Sequence, residues 1–186
     1  MVRAVPLNLK KRTHTMKEWL RSGVSFGLTS AVITTLGLMV GLHSGTGSKL
    51  VVLEGIITIA IADAFSDALG MHISKEAEPG ATQRQVWGAT FSTLFTKAIF
   101  ALTFVIPVVL LPLGTAIVAS IIWGLFILTL LSYAIAKSNN VSPWNTVVEH
   151  VTIALVVIVL THWIGDGLEK LNNGGEPGKD NTEQTT

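Results

Sequence analysis

The sequence contains no cysteine in its 186 residues, which removes disulfides, thiolate metal sites and cysteine nucleophiles together. What remains for cation chemistry is carboxylate, imidazole, thioether and hydroxyl, a donor set suited to hard and borderline divalent ions. Charge is scarce as well. Only 13% of the residues are charged, where a soluble domain carries about 25%. A net charge of +1 gives no footing for nucleic-acid binding, and six of the 13 Lys and Arg precede residue 22 rather than spreading over a face. There is no GxSxG, no HExxH and no phosphate-binding glycine loop, so no motif points to an enzyme.

What the sequence has instead is long apolar runs, with 49% of residues apolar. Runs of about 20 residues are long enough to cross a bilayer as helices. This pattern predicts an all-α integral membrane protein with five transmembrane helices, at about 22–42, 50–75, 87–111, 115–136 and 144–168. Residues 1–21 form a basic arm, in which 16–22, with Trp19, reads either as an interfacial amphipathic helix or as a solvated tail. A cleaved signal is not expected, because the apolar run from Gly23 to Leu42 exceeds the 7–15 residues of a signal core. The uncharged helix at 115–136 is the best candidate to face lipid. Residues 169–186, rich in Gly, Asn, Glu and Thr, are expected to be disordered.

Lysine and arginine in short loops mark the cytoplasmic side. Lys75 and Arg84 lie in the 75–86 loop and Lys137 in the 137–143 loop, whereas 43–49 carries Lys49 alone and 111–114 carries none. The N-terminus is therefore expected in the cytoplasm and the C-terminus on the opposite side. The membrane would be the cell membrane of a prokaryote or an organelle membrane of a eukaryote.

The second helix carries the unusual chemistry. Asp63 and Asp67 are four residues apart and share one face. A charge at the centre of a membrane helix costs about 2.5–3.5 kcal/mol on insertion scales. Ala60, Ala64 and Ala68 form a small-residue stripe beside them, so the acidic face is expected against a neighbouring helix. With Met71 and His72 towards the cytoplasmic end, the donors suit Fe²⁺, Mn²⁺, Co²⁺ or Zn²⁺. The plainer reading is a protonated or hydrogen-bonded pair that only holds helices together.

Lys97 lies about 15 Å in from the cytoplasmic end of the third helix, near the depth of Asp67. It either snorkels outward or pairs with Asp67 or Asp63. Such a pair would be a gate displaced by metal or protons, or a permanent structural contact. Glu149 and His150 lie near the cytoplasmic surface of the fifth helix, and His162 and Asp166, four apart, near its outer end. Glu54, with His43, sits at the same outer level and is placed to join an exit. Each of these is more ordinarily a solvated interfacial residue.

Three segments resemble the vacuolar iron transporter family. GLTSAVITTLGLMVGL (27–42) is similar to its first helix, typically GxNDGLVTTFGxVAGL, and ADAFSDALGMHIS (62–74) to its second, typically ADxLSMGxGEYxS. TVVEHVTIALVVIVLTHWIGDGL (146–168) resembles its last helix, with the characteristic Ile-Gly. Pro107 and Pro112 fit the third helix and the turn after it, and the similarity covers about residues 20–168. It implies a homodimer of five-helix protomers in the bilayer, moving Fe²⁺, often also Mn²⁺, out of the cytoplasm in exchange for protons, with no permanently bound cofactor. The glutamate-rich cytoplasmic domain that many members carry after helix two is replaced here by the 75–86 loop. The family's helix-one acid falls on Ser30, its helix-two methionine on Asp67, and its Gly-Glu-Tyr on Gly70, Met71 and His72.

The expected metal site is Asp63, Asp67, Met71 and His72, with Ser30 lining it from the first helix. Lys97 is its gate or ion-pair partner, and Glu149, Glu54, His162 and Asp166 lie along the way in or out. Two other readings remain beside this one: a non-transporting anchor or assembly module locked by a Lys97–Asp67 pair, and a transporter of a different cation.

Overall fold

The computed structural model describes residues 16–138 and 141–174; the expected arm before residue 16 and the tail after 174 lie outside the described residues. Within them the chain folds as α1 (Met16–Thr46), α2 (Lys49–Glu76), α3 (Gln83–Thr103), α4 (Val105–Leu110), α5 (Leu113–Ser138) and α6 (Pro143–Gly174), and no strand occurs among the described residues. Four spans, Glu18–Thr46, Gln83–Leu110, Leu113–Ser138 and Pro143–Asn172, are long and apolar enough to cross a membrane. The remaining long helix, α2, has 28 residues, or about 42 Å at 1.5 Å per residue. It differs in carrying Glu54, Asp63 and Asp67 within its apolar stretch, and it packs along both α1 and α3.

Local chemistry sets the connections. α1 and α2 are joined by Gly47, whose φ of 60° is cheap only for glycine, and by Ser48, whose hydroxyl accepts from the Val51 N–H at the start of α2. Thr82 and Gln85 form a capping box that opens α3. Lys49 reaches across to the end of α4, donating to the Val109 and Leu111 carbonyls at 3.0 and 3.1 Å. These carbonyls have no helical donor of their own, so Lys49→Met should lower stability by about 1 kcal/mol in a thermal unfolding scan.

Three expectations about where helices begin and end change. The segment 16–22 is the first two turns of an unbroken α1 rather than a separate interfacial helix. The helix expected at 87–111 is divided into α3 and α4 at Phe104; Pro107 lacks the N–H that would bond the Thr103 carbonyl, so the ladder breaks there. α6 runs through Gly174, so residues 169–174 are helical and not part of a disordered tail. Helices continue past the apolar runs because nothing stops the backbone ladder at the hydrocarbon edge.

α1 lies at the centre, packed against α2, α3, α5 and α6. Large apolar side chains such as Phe65, Phe95, Ile122 and Leu160 face outward, while Thr35, Thr93, Ser120 and Ser132 are buried. A chain surrounded by lipid gains nothing by hiding its large apolar residues, whereas small side chains let helices approach. α5 is not the most lipid-exposed helix, because Ala116, Ser120, Gly124, Leu128, Ser132 and Ala136 bury one face of it. α6 is more exposed, held by a narrow stripe that includes Val147, Ala154 and Gly165.

Candidate cation site

The α1–α3 contact is close because α1 presents glycine. A Cβ at Gly27 would lie 2.8 Å from the Thr93 carbonyl oxygen and 3.3 Å from the Lys97 backbone nitrogen, and the Thr93 hydroxyl donates to the Gly23 carbonyl. This proximity brings the α3 backbone against α1 beside Ser30. α2 packs on the same pair through Val52, Ile56, Ala60, Ala64, Ala68 and Met71. Asp63 and Asp67 flank that stripe and face α3.

The three helices meet at Lys97. Its side chain is 1% exposed, and its ammonium donates to the Asp67 carboxylate and to Ser30 Oγ at 2.8 Å. The same ammonium lies 2.5 Å from Asp63 Oδ2. That oxygen is buried but makes no hydrogen bond, so the Asp63 contact is an ion pair without good hydrogen-bond direction. The expectation of a pairing with one acid or the other is replaced by a lysine shared between both. Two carboxylates and one ammonium sum to a net charge of −1.

The two acids are not equivalent. The Asp63 side chain is 29% exposed and that of Asp67 19%. Asp63 also ends an open groove of about 490 Å³ between α1 and α2, lined by Leu38, Leu42, Glu54, Thr58 and Ala62 among others. The groove runs towards the α2 N-terminus, so Glu54 lies on a path to Asp63. Both acids hold Lys97, and Asp63 in addition borders the open space.

The other residues expected at the site are engaged elsewhere. Met71 is buried at the end of the α2 packing stripe. His72 Nδ1 lies 3.0 Å from Thr90 Oγ1. Because the Thr90 hydroxyl donates its proton to the Val86 carbonyl, Nδ1–H is the donor to Thr90. The ring also packs edge-on against Trp87, with centroids 4.8 Å apart. Among the described residues, no group of three His, Asp or Glu side chains is arranged to hold a metal ion. Ser30, Asp63 and Asp67 come together around an ammonium; Met71 and His72 do not join them.

Glu149 is exposed near the start of α6, and His150 Nδ1 meets the buried Ser132 hydroxyl at 2.8 Å. At the other end of α6, His162 Nδ1 makes a short contact with Ser44 Oγ of α1, and its Nε2 lies 3.6 Å from Asp166 Oδ2. This is a Ser–His–Asp sequence of contacts, but the 3.6 Å separation is beyond a hydrogen bond and both ionisable side chains are open to solvent. It is a polar seam between helix ends rather than an activated nucleophile. The seam was not legible from the i, i+4 spacing of His162 and Asp166, since Ser44 is 118 residues away.

No protein-family profile matches this chain, and no characterised protein matches it significantly.

Proposed function

We propose that this protein is a membrane cation transporter working at the Asp63–Lys97–Asp67 cluster, a divergent relative of the vacuolar iron transporters. The observation that carries the reading is the uncompensated charge: two acids and one ammonium inside a helical membrane bundle leave one negative charge, and Asp63 opens onto a groove. A charge in such surroundings is costly unless an exchangeable cation or proton neutralises it. Fe²⁺ and Mn²⁺ are the first cargoes to test, given the similarity of the first, second and last helices. The ion would leave the cytoplasm past His72, reach Asp67 and Asp63, and exit along the groove by Glu54, with protons returning through the same carboxylates.

A homodimer fits this reading. α2 and α6 flank α1, and Leu38 and Leu42 of α1 separate the large groove from a second one of about 240 Å³ along α6. A second copy over this trough would close the groove and shield Asp63 from lipid.

The test is flux in proteoliposomes, with a metal-sensitive dye inside, Fe²⁺ or Mn²⁺ outside, and a pH gradient imposed or absent. Gradient-dependent flux that falls at least tenfold in both Asp63→Asn and Asp67→Asn, with the dimer intact, is the expected result. Undiminished flux in the two variants would overturn this site. A second reading is favoured by one observation, the near-complete burial of Lys97 among three partners: a locked helical core serving as an anchor or assembly module. It predicts no flux of any cation from well-folded protein.

A further inference from the structure

We infer that Lys97 determines which charge the cation site accepts, acting as a tethered competitor against divalent ions. This rests on the transporter reading above and adds a selectivity to it. With the ammonium in place the two carboxylates lack one positive charge; without it they lack two. In a poorly solvated site the filling that leaves no net charge is favoured, because an isolated charge there is the costly state. While Lys97 stays on the acids that filling is a single positive charge, a proton or a monovalent cation, at Asp63; a divalent cargo loads only by displacing the ammonium.

A divalent ion would leave the cluster at +1 for as long as the ammonium stays. It therefore has to push Lys97 off both acids. The side chain has little room to retreat, since it is 1% exposed and its remaining bond is to Ser30 Oγ in the α1–α3 contact. Both acids hold the ammonium, and Asp63, the more exposed of the two with a groove beside it, is the one an incoming cation reaches first. Lys97 is thus a specificity-determining residue: it raises the divalent concentration needed to load the site and leaves singly charged ions unopposed.

The experiment compares Mn²⁺ with Na⁺ in transport and binding by full-length wild type, Lys97→Met, and Lys97→Met combined with Asp63→Asn. Lys97→Met takes the site from −1 to −2 and should raise the Mn²⁺ preference over Na⁺ by about tenfold or more, the scale of one added charge within a few ångströms. The double variant returns the site to −1 and should restore the wild-type ratio. A folded Lys97→Met with an unchanged ratio, or a double variant that keeps the gain, overturns the inference.

If Lys97→Met does not fold, Lys97→Arg and Asp63→Asn carry the test. Arginine keeps the charge and should leave the ratio within about twofold, whereas Asp63→Asn brings the site to zero and should lose Na⁺ and Mn²⁺ together. A Lys97→Arg protein with a strongly raised Mn²⁺ preference overturns the inference. Wild type that moves Na⁺ in an Asp67-dependent way, with no selectivity change in the variants, removes the role of Lys97 and leaves the transporter reading standing. If wild type moves no cation at all, the transporter reading fails and the inference with it.

Discussion

Asp63→Asn combined with Asp67→Asn is expected to lower stability far more than the two single changes added together. Each single variant leaves Lys97 one carboxylate partner, so its ammonium stays compensated and the loss should be small, about 1 kcal/mol. The double variant strands an ammonium that is 1% exposed, with only the Ser30 hydroxyl still bonded to it among the cluster residues. Removing the partner of a buried charge costs about 3–5 kcal/mol, which for a chain of this size is a midpoint drop on the order of 10 °C. The check is a double-mutant cycle by thermal unfolding in detergent, where the coupling term isolates the shared lysine. Small, additive losses would mean that water or another group compensates Lys97, and the charge count behind the proposed function would fall.

Gly27→Ala and Gly70→Ala make the same chemical change and should act with opposite sign. At Gly27 the new methyl would press on the α3 backbone, at the Thr93 oxygen and the Lys97 nitrogen. Backbone cannot rotate away as a side chain can, so α3 has to shift, with a loss of about 1–3 kcal/mol. A shift of α3 also moves Lys97 relative to the acids, so any flux through the proposed site should fall with stability. Gly70 lies on the same bundle with nothing within 4 Å of its added Cβ. There alanine should be neutral or gain up to about 1 kcal/mol from its better helix propensity. Unfolding midpoints of both variants decide the matter; equal effects would show that the α1–α3 approach is looser than the structure places it.

Much of the architecture was legible in advance because membrane helices are specified by local sequence. Apolar runs of bilayer length fix where helices lie, and Gly23–Gly27 and Gly37–Gly41, each four residues apart, have the spacing that lets another helix approach closely. The structure gives these pairs different partners, α3 for the first and α6 for the second. The break at Phe104 could have been read from Pro107. The extra turns at the helix ends could not, since polar interfacial residues continue a helix as readily as they end one.

Of the site, the acids of α2 and the lysine of α3 were visible as ionisable residues where none is cheap. Their spacing put Asp63 and Asp67 on one face, and depth alone brought Lys97 level with them. Sequence could not say that one lysine serves both acids, that Ser30 completes its shell, or that His72 turns to Thr90 instead. Those facts depend on how α1, α2 and α3 are rotated about their axes, which no single helix encodes.

The sequence by itself therefore determined an all-helical membrane chain, the number and order of its long helices, and the presence of buried charge that must be compensated. The tertiary structure decided which charge meets which, and that Asp63, not Asp67, is left facing an open groove. The physical reason is range. Hydropathy and backbone hydrogen bonding act within a helix, whereas an ion pair between α2 and α3 exists only once glycine-lined packing has set the helices within a few ångströms of one another.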